Sequence, residues 1–265
     1  MGEGTKARIV FIGSGNLATQ LALTFFENNY PVLQVYSRTE KSAAELAGKI
    51  GCAFTTDITE LNTEADIYIC ALKDSALQEV LVQADFHNKL LVHTAGSIPM
   101  DILSTYTSNY GVFYPLQTLS KNKRVDFSKI PVFVEGNNQK NLSILKLLAE
   151  NISNVVYEAT SEQRKKLHLA AVFACNFTNH LYAIAAEIIK ENGDFPMDVL
   201  LPLIDETAEK VHTLSPIEAQ TGPAVRYDKN VIDKHLGMLS SDKDVQQIYE
   251  LMSKHIYKYS KNEVF

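Results

Sequence analysis

Over the first 160 positions, short apolar runs alternate with helical stripes. Residues 9–12, Ile-Val-Phe-Ile, form the first run. Leu17, Ala18, Leu21, Ala22, Phe25 and Phe26 follow at a 3.6-residue spacing, which predicts a helix with one buried face. Residues 32–36 are the second run, followed by Ala43, Ala44, Leu46 and Ala47 on another helical face. A short strand at 53–55, a strongly apolar strand at 65–72, a helix at 74–82 and strands at 90–93 and 112–114 continue the series. A strand at 130–134, a helix at 141–150 and a strand at 154–157 extend it further. Such alternation with short connections predicts an α/β fold with a doubly wound, mostly parallel sheet.

The character changes after Ala159. Thr160 or Ser161 can cap a helix, and the pattern stays helical for about 30 residues, to Asn192-Gly193. Further helices follow, broken at Pro196, Pro216 and Pro223. Two domains are therefore expected, an alternating one at 1–159 and an all-α one at 160–265.

The first strand runs into Gly13-Ser14-Gly15-Asn16-Leu17-Ala18 at the start of a helix. A buried strand, a glycine turn and a free helix N-terminus suit a dinucleotide pyrophosphate. Gly13 allows the turn, Gly15 lets the backbone approach the phosphates, and Ala18 keeps helix and sheet close. About 20 residues further on, NAD-binding domains place an acidic residue for the ribose 2′-hydroxyl. Here Ser37-Arg38-Thr39 stands at that strand end. Arg38 can pair with a 2′-phosphate and stack on adenine, so NADP is the expected cofactor. The plainer reading of Arg38 is a solvated surface arginine.

Composition narrows the picture. Hydrophobic residues make up 46% of the 265, enough for one large or two medium domains. A balance of 25 basic against 31 acidic side chains offers no general attraction to nucleic acid or an anionic membrane. Lys121-Asn122-Lys123-Arg124 reads as a solvated loop and Arg164-Lys165-Lys166 as a solvated helix face. Cys52, Cys70 and Cys175 share no metal-ligand spacing, and no metal is expected. Cys70 and Cys175, in apolar segments, read as core thiols. No signal-peptide pattern and no apolar run long enough to span a bilayer are seen, so a cytoplasmic protein is expected.

In an open α/β sheet, ligands bind beyond the carboxyl ends of the strands. Three loops should face the cofactor: Lys73-Asp74-Ser75, His93-Thr94-Ala95-Gly96-Ser97 and Tyr114-Pro115-Leu116-Gln117-Thr118. His93 is either an acid/base group or a structural histidine. In the long helix, Asn176, Asn179 and His180 fall at i, i+3 and i+4, and His168 precedes Asn176 by about two turns. Polar groups in an apolar helix need partners, either substrate and nicotinamide or neighbouring helices. Finally, Thr221-Gly222-Pro223 leads to Arg226, Asp228 and His235. Arg226 could meet an anion or simply pair with Asp228.

With these residues in view, the chain resembles the Rossmann-like oxidoreductases that carry a helical C-terminal domain of uncharacterised function. These are similar to coenzyme F420-dependent NADP oxidoreductases and to pyrroline-5-carboxylate reductase. The resemblance rests on the glycine loop, Ser37-Arg38, His93 to Ser97, Tyr114 to Thr118, Ala174-Cys175-Asn176-Phe177, and Gln220 to Pro223 followed by Arg226 and His235. It implies a helical domain of the 6-phosphogluconate dehydrogenase C-terminal type. Related β-hydroxyacid dehydrogenases carry a catalytic lysine one turn before an asparagine, whereas Val172 stands there in this chain.

The reaction expected from these features is NADP-dependent hydride transfer to or from a small carbonyl or imine bound between the domains. His168 or His93 would supply the proton, Asn176 and Gln117 would orient the substrate, and Arg226, of the same or a partner subunit, would hold a carboxylate. Gly13, Ser14, Gly15, Asn16, Leu17, Ser37, Arg38, Leu72, Lys73, Thr94, Ala95 and Gly96 are the expected cofactor contacts. The alternative is a non-catalytic NADP-binding sensor or scaffold. The apolar stripe Leu181, Ile184, Ala185, Ile188 and Ile189 points to a homodimer through the helical domain.

Overall fold

The computed structural model describes residues 6–192 and 195–261. The chain divides into two compact units, with the division between Asn176 and Phe177.

The first unit is built on one eight-stranded sheet. Its strands are β1 (Ile9–Ile12), β2 (Val32–Tyr36), β3 (Ala53–Thr55), β4 (Ile67–Cys70), β5 (Leu90–His93), β6 (Tyr110–Pro115), β7 (Val132–Gly136) and β8 (Val156–Glu158). They lie in the order β3-β2-β1-β4-β5-β6-β7-β8. Four helices belong with it, α1 (Asn16–Glu27), α2 (Glu40–Ile50), α3 (Leu77–Leu81) and α4 (Gln139–Glu150). Both faces of the central strands are buried, because alternate residues serve two cores. Ile9 and Phe11 enter one with Leu21, Phe25 and Phe113. Val10 and Ile12 enter the other with Tyr68, Leu81 and Phe86.

The sheet is parallel except where β7 runs antiparallel to β6. A parallel return requires a crossover of a dozen or more residues, usually an α-helix. The link from Pro115 to Val132 is loop with a single 3-10 turn, Phe127–Lys129, and it brings the chain back in the opposite sense. Fully buried Gln20 on α1 pins this loop, donating to the Ser120 carbonyl at 2.7 Å and the Lys123 carbonyl at 3.1 Å. Arg124, expected in a solvated loop, donates to Gln20 Oε1 at 2.9 Å and pairs with Glu27.

The switch in strand order falls between β1 and β4, where an open α/β sheet forms its ligand crevice. Gly13 sits there at φ +121°, and a Cβ on it would lie 2.4 Å from the Ala71 carbonyl oxygen beyond β4. Only glycine fits, both for backbone conformation and for the approach of the two strand ends.

Beyond β8 the chain becomes helical. α5 (Ser161–Ala171) begins with a capping box in which Thr160 accepts from the Gln163 amide and the Gln163 side chain returns to Thr160. A π-helical turn, Val172–Phe177, joins α5 to α6 (Thr178–Asn192). The uninterrupted helix Ser161–Lys190 is long and apolar enough to cross a membrane by length and composition. This corrects the expectation that no apolar stretch is long enough to do so. It carries His168, Asn176, Asn179 and His180, polar groups that are costly at bilayer depth.

The second unit holds α6, α7 (Leu201–Lys210), α8 (Pro216–Ala219), α9 (Pro223–Arg226), α10 (Lys229–Met238) and α11 (Lys243–Ser260). Pro216 and Pro223 open helices rather than only breaking them, as the fixed φ of proline favours. Among its described residues, Ala224, Ile232 and Ser253 are buried.

Candidate active site

At the carboxyl end of β1, α1 begins with Gly15 as its N-cap and no side chain capping it. Its first amides therefore point free at the crevice, and a Cβ on Gly15 would meet nothing within 4 Å. Ser14 donates its hydroxyl to Ser37 Oγ at 2.8 Å, tying the glycine loop to the end of β2. Arg38 is exposed beside it, without a hydrogen bond or ion pair among the described residues. Across the crevice, the Thr94 amide and hydroxyl both donate to the Cys70 carbonyl at 3.2 Å, holding the ends of β5 and β4 together. Leu72 is half-buried, Lys73 is exposed, and Asp74 accepts from Ser97 Oγ. Free amides, an open glycine and an unengaged guanidinium fit a dinucleotide bearing a 2′-phosphate.

Next to this crevice lies a small cavity of about 150 Å³, lined by Tyr114, Gln117, Thr118, His168, Val172, Cys175 and Asn176 among others. Cavities for drug-sized ligands start near ~300 Å³, so this one suits a small molecule. Tyr114 comes from the end of β6, Gln117 and Thr118 from the loop beyond it, and the remainder from α5 and the π-turn. π-turns often occur at functional sites. Here the turn places Asn176 and Cys175 on the cavity wall. His168 Nδ1 and Tyr114 Oη are hydrogen-bonded at 3.1 Å, with the rings edge to face. Burial pushes the Tyr114 phenol up from its usual range, and the Arg164 charge partly opposes this.

Gly96 joins the two parts of the site. A Cβ there would lie 2.7 Å from His168 Nδ1 and 2.8 Å from Tyr114 Cζ. The backbone between β5 and the cavity can pass the Tyr114–His168 pair only as glycine.

The structure draws several expected residues together and sets others apart. His168, Asn176 and Gln117 share the cavity, while Asn179 and His180 are exposed beyond it in the second unit. Their i, i+3, i+4 alignment assumed an α-helical register, and the π-turn shifts it. His93 is fully buried beneath its loop and does not line the cavity. Its Nδ1 accepts the Ala95 amide at 3.2 Å, and its Nε2 has no hydrogen-bond partner among the described residues. Burial, reinforced by the Arg164 charge, pushes its pKa down to about 3. His93 is therefore neutral and lies apart from the cavity lining. Arg226 is exposed at the end of α9. Asp228 spends its carboxylate capping α10, accepting from the Val231 amide.

Two expectations fail outright. Arg164 is not on a solvated face: its side chain is 1% exposed, ion-paired with Glu135, and donates to the carbonyls of Ala95 at 3.1 Å and Ile98 at 2.5 Å. It thereby clamps the Gly96 loop to α5 and β7. The tertiary contact was hidden because Lys165 and Lys166 beside it do face outward. Cys175 is exposed rather than in a core, because its apolar neighbours Phe173 and Leu169 are exposed as well. Tyr114, expected only as part of a cofactor-facing loop, proves to be the partner of His168 on the cavity wall. Its signal was the position at a strand's carboxyl end, ahead of Pro115.

Residues 8–96 match the model of NADP oxidoreductases described as coenzyme F420-dependent, and residues 130–256 match a domain of unknown function. A Bacteroides fragilis protein described as an NADP oxidoreductase is 53% identical, with a TM-score of 0.90 over 96% of this chain and 98% of that one. The chain belongs to this family of NADP oxidoreductases. A pyrroline-5-carboxylate reductase of Pseudomonas aeruginosa is 32% identical over 106 residues, 37% of this chain and 38% of that one. The chain thus spans little more than a third of that relative's length. A reductive aminase from Aspergillus terreus, solved in complex with NADPH and ethyl levulinate, shares the fold at 12% identity and a TM-score of 0.73, covering 96% of this chain and 95% of that one. The family resemblance seen in the glycine loop and Ser37-Arg38 is borne out, and with it the Rossmann-like fold and NADP as the family's dinucleotide.

Proposed function

We propose that this family member reduces a small carbonyl or imine at the cavity formed by Tyr114, His168 and Asn176. The observation that carries the reading is adjacency. A cradle for NADP and a cavity holding the His168 imidazole meet at Gly96, whose missing side chain is what lets them approach. Bound NADPH supplies the hydride. Gly13 to Leu17 hold the pyrophosphate through backbone amides, Ser37 and Arg38 hold the 2′-phosphate, and Leu72, Lys73 and Thr94 to Gly96 border the nicotinamide end. His168 gives the proton to the substrate nitrogen or oxygen, and Asn176 and Gln117 orient that atom by hydrogen bonds. Arg226, exposed in the second unit, remains proposed as an anion-binding residue. The fold shared with a reductive aminase and the local match to a pyrroline-5-carboxylate reductase support C=N and C=O substrates.

The competing reading is an NADP-dependent sensor, favoured by Val172 where a catalytic lysine would stand. Purified protein with NADPH and a panel of cyclic imines and small ketones separates the two. Substrate-dependent NADPH oxidation that is lost in His168→Ala supports the reductase; NADPH binding with no turnover supports the sensor. Replacing Arg38 with Asp should weaken NADPH at least tenfold more than NADH, about 1.4 kcal/mol of discrimination. Equal weakening of both cofactors would remove Arg38 from the 2′-phosphate site.

The second unit supports a homodimer. Its described residues leave Leu201, Leu203, Val211, Leu214, Ile217 and Leu251 exposed. Large apolar side chains left facing water favour an interaction face, and a second copy of the same unit is the proposed cover.

A further inference from the structure

We infer that Tyr114 is a positioning residue for His168, its hydroxyl holding Nδ1 in both protonation states so that Nε2 stays turned to the substrate. The inference rests on the reductase reading and assigns a role to a residue that the loop motif Tyr114 to Thr118 placed near the cofactor without giving it one.

The argument begins with the cavity wall. Tyr114 Oη lies 3.1 Å from His168 Nδ1, and His168 is its hydrogen-bond partner among the described residues. With Nδ1 engaged, Nε2 is the nitrogen left for a ligand. An imidazole that delivers a proton alternates between a cation with two N–H groups and a neutral ring with one. A partner that only accepts or only donates suits one of those states. A phenol does both, accepting from Nδ1–H in the cation and donating to bare Nδ1 in the neutral ring. Burial favours the protonated phenol, so the hydroxyl keeps its hydrogen through the cycle.

The surroundings leave the pair little freedom. Tyr114 is rooted in β6 and buried. The Gly96 backbone is packed against both rings. Arg164, clamped by Glu135 and the carbonyls of Ala95 and Ile98, fixes that backbone from the other side. In the step itself, the Nε2–H bond of cationic His168 breaks as the proton bonds to the substrate nitrogen or oxygen. The substrate carbon takes the hydride pair from the reduced nicotinamide. His168 is left neutral and regains its proton from solvent, while the Tyr114 hydroxyl reverses direction without losing its hydrogen.

The test uses Tyr114→Phe, which keeps the ring and removes the oxygen, and has two arms. In the protein without added ligand, nitrogen-15 spectra of the histidines should show the His168 Nδ1 resonance moving while the buried His93 signal stays. With NADPH and 2-methyl-1-pyrroline, kcat should fall about tenfold, the lower end for partners that orient an imidazole, with KM and NADPH affinity unchanged. An unmoved Nδ1 resonance overturns the inference, as does a moved resonance with unaltered kcat. If the wild-type protein reduces neither this imine nor a ketone panel, the reductase reading falls, and the role of Tyr114 falls with it even where the resonance moves.

Discussion

From β1 to β8 the chain covers its own sheet, which is sandwiched between two apolar clusters, with even polar Gln20 and His93 enclosed, and Arg164 of α5 is enclosed as well. From Phe177 onward the helices form with sound local chemistry: Ser215 and Glu218 make a capping box, and Asp228 and Asp242 cap α10 and α11. Yet that unit buries little, and its large apolar side chains face outward. Local helix signals and a finished core are separate achievements. Capping satisfies backbone groups within a few residues, whereas apolar burial needs a facing surface. The first unit supplies its own facing surface through the sheet, and the second is proposed to obtain one from another copy.

The largest expected effect lies in the self-covered unit. Arg164→Met would strand Glu135 beside the clamp, and losing one partner of a buried pair costs about 3–5 kcal/mol. The lower end applies because Glu135 keeps 17% exposure. Urea unfolding followed by far-ultraviolet dichroism measures this, and a change below about 1 kcal/mol would show that the clamp is not enclosed.

Leu181→Asp breaks the comparison from the other side. A leucine facing water tolerates aspartate within about 0.5 kcal/mol, whereas one covered by a second copy does not. Sedimentation at micromolar concentration, without detergent, should show a dimer for the wild-type protein and a monomer for the variant. A wild-type monomer would mean that the second unit stands uncovered.

His93 yields a smaller, pH-dependent effect. Its folded pKa, about 3, is depressed below the ordinary 6.5, so the unfolded chain takes up a proton that the folded chain refuses. Stability from this group is intact above pH 6.5 and declines as pH falls below it, by about 2 kcal/mol on reaching about pH 5. His93→Gln should flatten that slope in thermal melts across the range; parallel slopes in variant and wild type would contradict the buried neutral ring.

The smallest effect concerns Tyr227, left-handed at φ +52° at the end of α9. Glycine suits that backbone and alanine does not, although both lose the ring contact with Tyr257. Tyr227→Gly should therefore be more stable than Tyr227→Ala by about 1 kcal/mol, read as a difference in melting temperature.

Much of the site was legible from residue order. Gly13 to Leu17 and Ser37-Arg38 are local signals, since a turn, a helix start and a strand end are set by neighbours in sequence. His168, Asn176 and Gln117 were also legible, as polar residues in apolar or loop surroundings. The buried clamp of Arg164, the pairing of Tyr114 with His168 and the unpartnered Nε2 of His93 among the described residues were not. Each depends on what lies across the sheet, and the π-turn that places Asn176 breaks the period by which helices are read.

The sequence by itself determined the alternation of strands and helices, the dinucleotide loop and the helical second half, because apolar periodicity and glycine placement act over a few residues. Tertiary structure alone decided that β7 runs antiparallel, that Arg164 is a buried clamp, that His93 is neutral, and that Tyr114 meets His168 over Gly96. Those outcomes depend on distances between segments far apart in the chain, and on the desolvation that closing them together imposes.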